Sequence, residues 1–258
     1  MRIDFLNDVA LGKIESENVL LERSRLYEIN MHVHYIAYVV SYDSDANRPI
    51  KADYFEKTVE DAFIPLGRLC VCWTHQSNVN VFVPIQPTID GIKKHSVAMG
   101  QLVYRYIANK VEDFTFSVGI GSYYENNINL CKSYAEALQA VQIGKIDSTG
   151  AGVCHFDDIG MYQILLPLAG TEAAARYVDT FLGRLIKYDK SKNTQFIQTL
   201  EQYIKCNSLG EAATKLYVHP KTMALRKLKI EEILGISLKS EEVRLALLAA
   251  IMLYKTGE

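Results

Sequence analysis

Apolar residues follow two different periods along the chain. Between residues 32 and 156, runs rich in β-branched and aromatic residues, which favour strands, alternate with segments whose apolar positions recur every three or four residues, which favour helices. The predicted helices cover residues 53–63, 88–111 and 129–144. The predicted strands are "HVHYIAYVVSY" (32–42), "RLCVCWTH" (68–75), "VNVFVPI" (79–85), "FTFSVGIGSY" (114–123) and "GVCHF" (152–156). This β-α-β-β-α-β-α-β order predicts a mixed sheet covered by helices.

Helical patterns flank this region on both sides. Residues 4–27 favour helical pieces broken near Gly12, and residues 161–189 favour connecting helix. The polar segment "IKYDKSKNT" (186–194) is the predicted domain boundary. An amphipathic helix, "FIQTLEQYIKC" (196–206), and a strongly apolar closing helix, "SEEVRLALLAAIMLY" (240–254), are then predicted. We therefore predict an α+β protein in which the mixed-sheet domain precedes an all-α domain.

The composition is that of a globular protein. Of the 258 residues, 49% are hydrophobic and 22% are charged. No apolar run approaches the roughly 20 residues of a membrane helix, and the N-terminus has early acids in place of a secretory signal. The five cysteines lack paired spacing, as expected in a reducing compartment, and Cys70 and Cys72 are predicted to be small buried hydrophobic residues. We expect a cytoplasmic protein with no membrane partner.

Charge is unevenly distributed between the two predicted domains. Residues 190–258 contain 11 Lys and Arg against 7 Asp and Glu, a net +4, whereas the remainder is net −6. A basic C-terminal block on an acidic body points to a polyanionic partner for that block alone.

The stretch "SLGEAATKLYVHPKTMALRKLKIEEILG" (208–235) predicts two helices and a turn. Ser208 and Glu211 have the spacing of a capping box, so the first helix should begin at Leu209. Pro220 suits the first position of a second helix, which carries Lys221, Arg226, Lys227 and Lys229. From the spacing alone, a DNA-reading helix-turn-helix and a solvated helical hairpin both remain open.

The same residues resemble a known family. The "TL..Y" helix, the "AA..L.VH..T" turn, the "IEE.LG" segment and the "R.AL..A" helix resemble the C-terminal helix-turn-helix domain of the PucR/CdaR family of bacterial transcriptional regulators. Upstream, "FSVGIGSYYENNINLCKSYAEALQAV" and "VCHFDDIG" resemble the family's GGDEF-like domain, which has a nucleotide-cyclase-like palm fold. The resemblance implies a lead-in segment (1–26), a degenerate GGDEF-like domain (27–160), a helical connector (161–188) and a helix-turn-helix domain (189–258).

The resemblance also implies which residues contact DNA. Val218 and His219 fall in the family's turn, and Lys221, Thr222 and Arg226 fall on its second helix, which would lie in the major groove. The chain has "VHPKTMALRK" where the family commonly has "VHRNTLRYRL", so it loses two arginines and an asparagine that can read bases. Lys221 and Lys227 restore part of the attraction to phosphates. The predicted DNA-binding residues are His219, Lys221, Thr222, Arg226, Lys227 and Lys229.

The sheet domain also resembles diguanylate cyclases, whose central hairpin carries glycines for the nucleotide and carboxylates for the metal. Here the hairpin reads "WTHQSNVNV", without glycine or acid, and we interpret Asp43 and Asp45 as turn residues at the end of a strand. The glycines of "GIGS" (119–122) and "GTEA" (170–173) are likewise interpreted as turn residues. We predict no enzymatic activity, no cofactor and no metal.

The predicted partners are double-stranded DNA and a second copy of the chain, since a homodimer matches the symmetry of paired half-sites. The sequence does not identify a small-molecule effector. One alternative is that the altered second helix has lost DNA reading, and that the chain acts by pairing with a full-length regulator.

Overall fold

In the computed structural model the chain forms two compact units, Met1–Gly160 and Met161–Glu258. Asp43, Asp45 and the hairpin tip at residues 76–77 lie outside the described residues. None of the helices in the described part of the chain is long and apolar enough to cross a membrane. The described residues are 1–42, 52–66, 69–75, 78–87, 91–111, 115–146, 152–206 and 208–257.

The first unit is built on a five-stranded mixed sheet, as predicted, and its strand order is β2-β3-β1-β4-β5. All neighbouring strands are antiparallel except β4 and β5, which are parallel. The central strand β1 is buried on both faces, which explains its nearly continuous apolar sequence. The strands are β1 (His34–Tyr42), β2 (Val71–His75), β3 (Asn78–Ile85), β4 (Phe116–Ile120) and β5 (Val153–His155).

Helices cover both faces of this sheet. Alternate residues of β1 point to opposite sides, so Tyr35 and Ala37 pack with α1, α2 and α5, whereas Ile36 and Tyr38 pack with α3 and α4. The helices are α1 (Arg2–Ala10), α2 (Glu17–Arg25), α3 (Ala52–Phe63), α4 (Ile92–Ala108) and α5 (Leu130–Ile146).

The N-terminal segment, predicted as a separate lead-in, forms part of the core of the first unit. Phe5 of α1 is fully buried in the same cluster as the sheet residues Trp73 and Phe82. The Trp73 indole Nε1 donates a hydrogen bond to Asn7 Oδ1 over 3.0 Å. α1 and α2 therefore close one face of the sheet, and the chain turns between them at Gly12, where φ is +67°.

Cys72 of β2 and Cys70, just before that strand, are partly buried thiols. Cys70 and Cys72 both pack against the cluster that includes α3 and α4. Burial raises the pKa of Cys70 to about 11 and that of Cys72 to about 12. Both thiols therefore stay protonated and unreactive at neutral pH, in agreement with the predicted packing role.

The glycines of "GIGS" serve helix packing, so their predicted role as turn residues was wrong. Gly119 lies within β4, where a Cβ atom would overlap the carbonyl oxygen of Ala137 on α5. A Cβ on Gly121 would overlap the carbonyl oxygen of Ser133 on the same helix. These two glycines let the backbone of α5 approach β4 closely. Gly170 of "GTEA", in contrast, does lie in a turn, with φ at +78° just before α7.

The described residues of the second unit form helices and connecting turns. Leu182 and Leu185 of α7 pack with Leu200 of α8 and with Leu247 and Ile251 of α11 around a buried core. The helices are α6 (Tyr162–Leu165), α7 (Glu172–Lys192), α8 (Phe196–Lys205), α9 (Leu209–Lys215), α10 (Pro220–Leu234) and α11 (Glu241–Thr256).

The polar segment 186–194, predicted as a domain boundary, continues α7 and then turns into α8. One of its charged residues, Asp189, stabilises the start of α8. Asp189 accepts hydrogen bonds from the backbone N–H groups of Phe196 and Ile197, each over 2.9 Å, and so caps the N-terminus of α8. Residues 161–188, predicted as a connector, belong to the same compact unit as the helices that follow. Composition alone does not distinguish the charged face of a helix from a linker.

One buried carboxylate joins α8 to α11. Glu201 is only 4% exposed, and its Oε1 atom lies 3.0 Å from Lys205 Nζ and 2.7 Å from Lys255 Nζ. Burial alone would raise the pKa of Glu201, but the hydrogen bonds from Lys255 and Lys205 outweigh it and hold the pKa below its usual value. We call this group of three residues the Glu201 clamp. It joins the last turn of α11 to α8, the helix that precedes α9 and α10.

We predict that Gly119→Ala destabilises the first unit. The new methyl group must displace backbone atoms of α5, so the free energy of unfolding should fall by about 1–3 kcal/mol. Trp73 is the single tryptophan of the chain and is buried in this unit, so its fluorescence during urea unfolding reports the change.

Gly144→Ala is the matched control for that substitution. Gly144 lies within α5, and its Cβ would be 3.5 Å from the nearest atom, an ordinary contact. Alanine also has the higher helix propensity, so the control should be neutral or stabilising by up to about 1 kcal/mol. Equal midpoints for Gly119→Ala and the wild type would contradict the packing role of Gly119.

We also predict that Glu201 makes the second unit sensitive to acid. Because folding lowers its pKa, the stabilisation is present above the unfolded pKa of about 4.3 and is lost as the pH falls through the folded pKa. Glu201→Gln should lower the free energy of unfolding by about 1–3 kcal/mol at pH 7, and the difference from the wild type should shrink below about pH 4.

Scanning calorimetry can measure this difference, because the second unit contains no tryptophan whose fluorescence would report its unfolding. Glu241→Gln is the control, because Glu241 is exposed and lies 3.7 Å from Arg244. If the two variants lose equal stability at pH 7, the clamp does not contribute as described.

Candidate nucleic-acid interface

The first helix of the candidate motif begins where the sequence predicts. The Ser208 Oγ atom accepts a hydrogen bond from the backbone N–H of Glu211 over 3.1 Å, and α9 starts at Leu209. The Glu211 carboxylate also lies 3.3 Å from Lys215 Nζ, one helical turn further on. Both interactions hold a helix of only seven residues, which would not be stable in isolation.

Small side chains bring α9 and α10 together. Ala212 and Ala213 of α9 are 0% and 1% exposed, and they pack against Met223 of α10, which is also fully buried. Leu216 and Val218 lie at the edge of this cluster. The alanines remove the side chains that would otherwise separate the two helices, so α10 crosses α9 at close range.

The turn between the helices holds a residue in an unusual conformation. Tyr217 has φ at +54°, a region that non-glycine residues rarely adopt, and its side chain is 96% exposed. Val218 then packs inward, and His219 caps α10 because its Nδ1 atom accepts a hydrogen bond from the backbone N–H of Lys221 over 3.2 Å. Pro220 occupies the first helical position, as predicted.

The second helix has a buried face and an exposed face. Met223 and Ile230 are buried, whereas Lys221 and Thr222 in the first turn are exposed. We call the solvent-facing side the outer face of α10; its residues are Lys221, Thr222, Leu225, Leu228, Lys229 and Glu232. Lysine and threonine side chains can bind phosphates, and threonine can also reach base edges.

Two of the predicted DNA-binding residues, Arg226 and Lys227, contact the helix behind α10. Arg226 Nη1 lies 3.3 Å from the Oγ1 atom of the buried Thr199 on α8. Lys227 Nζ lies 3.0 Å from Glu231 Oε2 and 5.7 Å from the centre of the Tyr203 ring. The Lys227 and Glu231 side chains are only 15% and 18% exposed. Both cations therefore lie between α10 and the helix behind it.

Glu231 also ties α10 to the loop that follows. Its Oε1 atom accepts a hydrogen bond from the backbone N–H of Leu238 over 2.8 Å. Burial raises the pKa of Glu231, but this hydrogen bond and the contact with Lys227 outweigh the effect and lower the pKa below its usual value. The carboxylate thus remains ionised and keeps Lys227 in place at neutral pH.

Lys229 forms a more exposed pair. Its Nζ atom lies 2.9 Å and 3.0 Å from the two carboxylate oxygens of Glu232, with side-chain exposures of 40% and 69%. Exposed pairs of this kind contribute little to stability, because water and salt screen them. A phosphate could therefore replace Glu232 at little cost.

The structure thus separates the six predicted residues into two groups. His219, Lys221, Thr222 and Lys229 lie at or near the outer face of α10, whereas Arg226 and Lys227 face the interior of the unit. Tyr217, Leu225 and Leu228 are also exposed, and they are not among the six predicted residues. The departure from the family pattern at Leu225 was the available signal, but exposure became evident only in the structure.

Two family models match the chain. The model of the GGDEF-like domain matches residues 12–143, just over half of the chain, and the model of the PucR C-terminal helix-turn-helix domain matches residues 196–253. These two domains together define a family of transcriptional regulators of the helix-turn-helix class. The chain belongs to the PucR/CdaR family of such regulators, as the sequence predicted.

Three proteins of Bacillus subtilis (strain 168) that are similar to the chain are named as regulators. The proline-responsive transcriptional activator PutR is 29% identical over 140 residues, 54% of this chain and 34% of that protein. The DNA-binding transcriptional activator AdeR is 30% identical over 142 residues, 54% and 32% of the two chains. The purine catabolism regulatory protein is 29% identical over 144 residues, 55% and 26%. The matched segment spans about a third or less of each relative.

Among solved structures, the regulator of polyketide synthase expression from Bifidobacterium adolescentis aligns with 96% of this chain and 90% of its own. The identity is 12% and the TM-score is 0.44, so this likeness carries no argument about function.

Proposed function

We propose that the chain is a DNA-binding regulator whose helix α10 lies in the major groove. The observation that carries this proposal is the outer face of α10, where Lys221 and Thr222 occupy the exposed first turn. In a helix-turn-helix the N-terminal part of the second helix meets the base edges. Membership in a family of helix-turn-helix regulators supports the same role.

Each exposed polar residue has a part in this proposal. Lys221 and Lys229 neutralise phosphates, and Lys229 exchanges Glu232 for a phosphate on binding. Thr222 donates to a phosphate or to a base edge. His219 caps α10 and lies beside the DNA backbone. Arg226 and Lys227 act indirectly, because Arg226 contacts Thr199 and Lys227 lies over the Tyr203 ring, and both of these partners belong to α8.

The proposal includes a homodimer in which two copies of α10 contact two half-sites about one helical turn apart. A dimer matches the symmetry of such operators, and light scattering at micromolar concentration should return twice the mass of the chain. A monomeric mass would count against this part of the proposal.

We expect fluorescence anisotropy to detect binding to duplex DNA from upstream of the chain's own reading frame. The logarithm of the affinity should fall with the logarithm of the salt concentration, by about 0.9 for each phosphate neutralised. Lys221→Ala should weaken binding to all duplexes and reduce that slope by about 0.9, since it removes one phosphate contact.

Lys94→Ala is the matched control, because it removes the same charge from an exposed position of α4 in the first unit. It should leave both affinity and slope unchanged. If no duplex binds even at low salt, the alternative in which the chain pairs with a full-length regulator is favoured instead.

The proposal assigns no catalysis to the first unit. Between Trp73 and Val81 the hairpin sequence has no glycine to admit a nucleotide and no carboxylate to hold a metal. Incubation of the purified chain with GTP and Mg²⁺ or Mn²⁺ should yield no cyclic dinucleotide by chromatography. Turnover that rises with enzyme concentration would refute this assignment.

A further inference from the structure

Two leucines interrupt the polar outer face of α10. Leu225 is 67% exposed and Leu228 is 59% exposed. A single exposed leucine needs no explanation. Leu225, however, lies one helical turn after Lys221 and one turn before Lys229, so it occupies the middle of the outer face. The position that would be nearest the floor of the groove is therefore apolar.

The polar residues of this face provide little means of telling one base pair from another. Lys221 and Lys229 are flexible point charges suited to phosphates. Thr222 is the one uncharged polar side chain on the outer face of α10, all of which lies in the described part of the chain. An apolar contact at Leu225 would add a kind of base discrimination that lysine and threonine do not supply.

The major groove offers one apolar group, the 5-methyl of thymine, and apolar side chains contact it in direct readout. Cytosine presents an amino group and no methyl at the corresponding edge. A leucine held at the centre of a helix in the groove would thus favour T·A over C·G.

We infer that Leu225 reads thymine, by packing its side chain against the 5-methyl group of one thymine in the major groove. This inference rests on the proposed function, since it requires α10 to lie in that groove. Charge complementarity makes DNA the occupant of this face, because Lys221 and Lys229 flank Leu225 on either side. The outer face has a single acid, Glu232, which is paired with Lys229.

The test begins with a duplex that the full-length chain itself prefers, enriched from a random pool by repeated binding. Its affinity is compared with that of the same duplex carrying deoxyuridine in place of thymidine. Uracil keeps every hydrogen-bonding group of thymine and lacks only the methyl. The wild type should bind the deoxyuridine duplex about fourfold more weakly for each methyl contacted.

Leu225→Ala should bind the thymidine duplex more weakly than the wild type and bind both duplexes equally. Because Leu225 is largely exposed, the variant should keep its fold. Leu245→Ala is the control, since Leu245 is 59% exposed on the neighbouring helix α11. It should retain the wild-type preference for thymidine.

The outcomes separate this inference from the proposed function. Equal affinity of the wild type for the two duplexes overturns the role of Leu225 and leaves DNA binding intact. A thymidine preference that survives in Leu225→Ala also overturns it, because the methyl then acts through another residue or through DNA shape. If no duplex is enriched or bound, the proposed function fails together with the inference, and the leucines become candidates for a protein contact.

Discussion

Where α9 crosses α10, Ala212 and Ala213 leave no side chain long enough to hold the two helices apart, and Met223 fills the space between them. The direction of the outer face of α10 follows from this contact. A larger residue at either alanine would push α10 outward and turn Lys221 and Thr222 with it. Glu201, which binds Lys205 and Lys255, and Glu231, which binds Lys227 and the backbone of Leu238, stabilise the same arrangement by joining separate segments of the unit.

The first unit uses small residues in a similar way. Gly119 and Gly121 let α5 lie directly on β4, at a distance that even alanine would not permit. This explains why "GIGS" was interpreted incorrectly from the sequence. A glycine required by a turn and a glycine required by a neighbouring backbone look the same in sequence, and only the position of α5 distinguishes them.

Periodicity predicted the strands and helices well, because it reflects which side of each element is buried. The alternation in β1 and the capping pattern at Ser208 are local features, and the structure agrees with both. The contacts of Arg226 and Lys227 could not be predicted from such local patterns. A cation is visible in the sequence, but its partner is not, and Thr199 lies 27 residues from Arg226. Predicting that a basic residue is free to bind DNA requires knowing which carboxylates and hydroxyls are near it.

The charge that remains on the outer face of α10 bears on the proposed dimer. In the proposed complex, Lys221 and Lys229 are the lysines of the outer face, and Lys229 must first leave Glu232, whereas Arg226 and Lys227 contact Thr199 and Glu231. Few phosphate contacts give weak binding that is sensitive to salt. A second copy on the same duplex would bind at a high effective concentration and multiply the two affinities without any new contact. The modest charge of one helix is therefore a physical reason to expect that two copies act together.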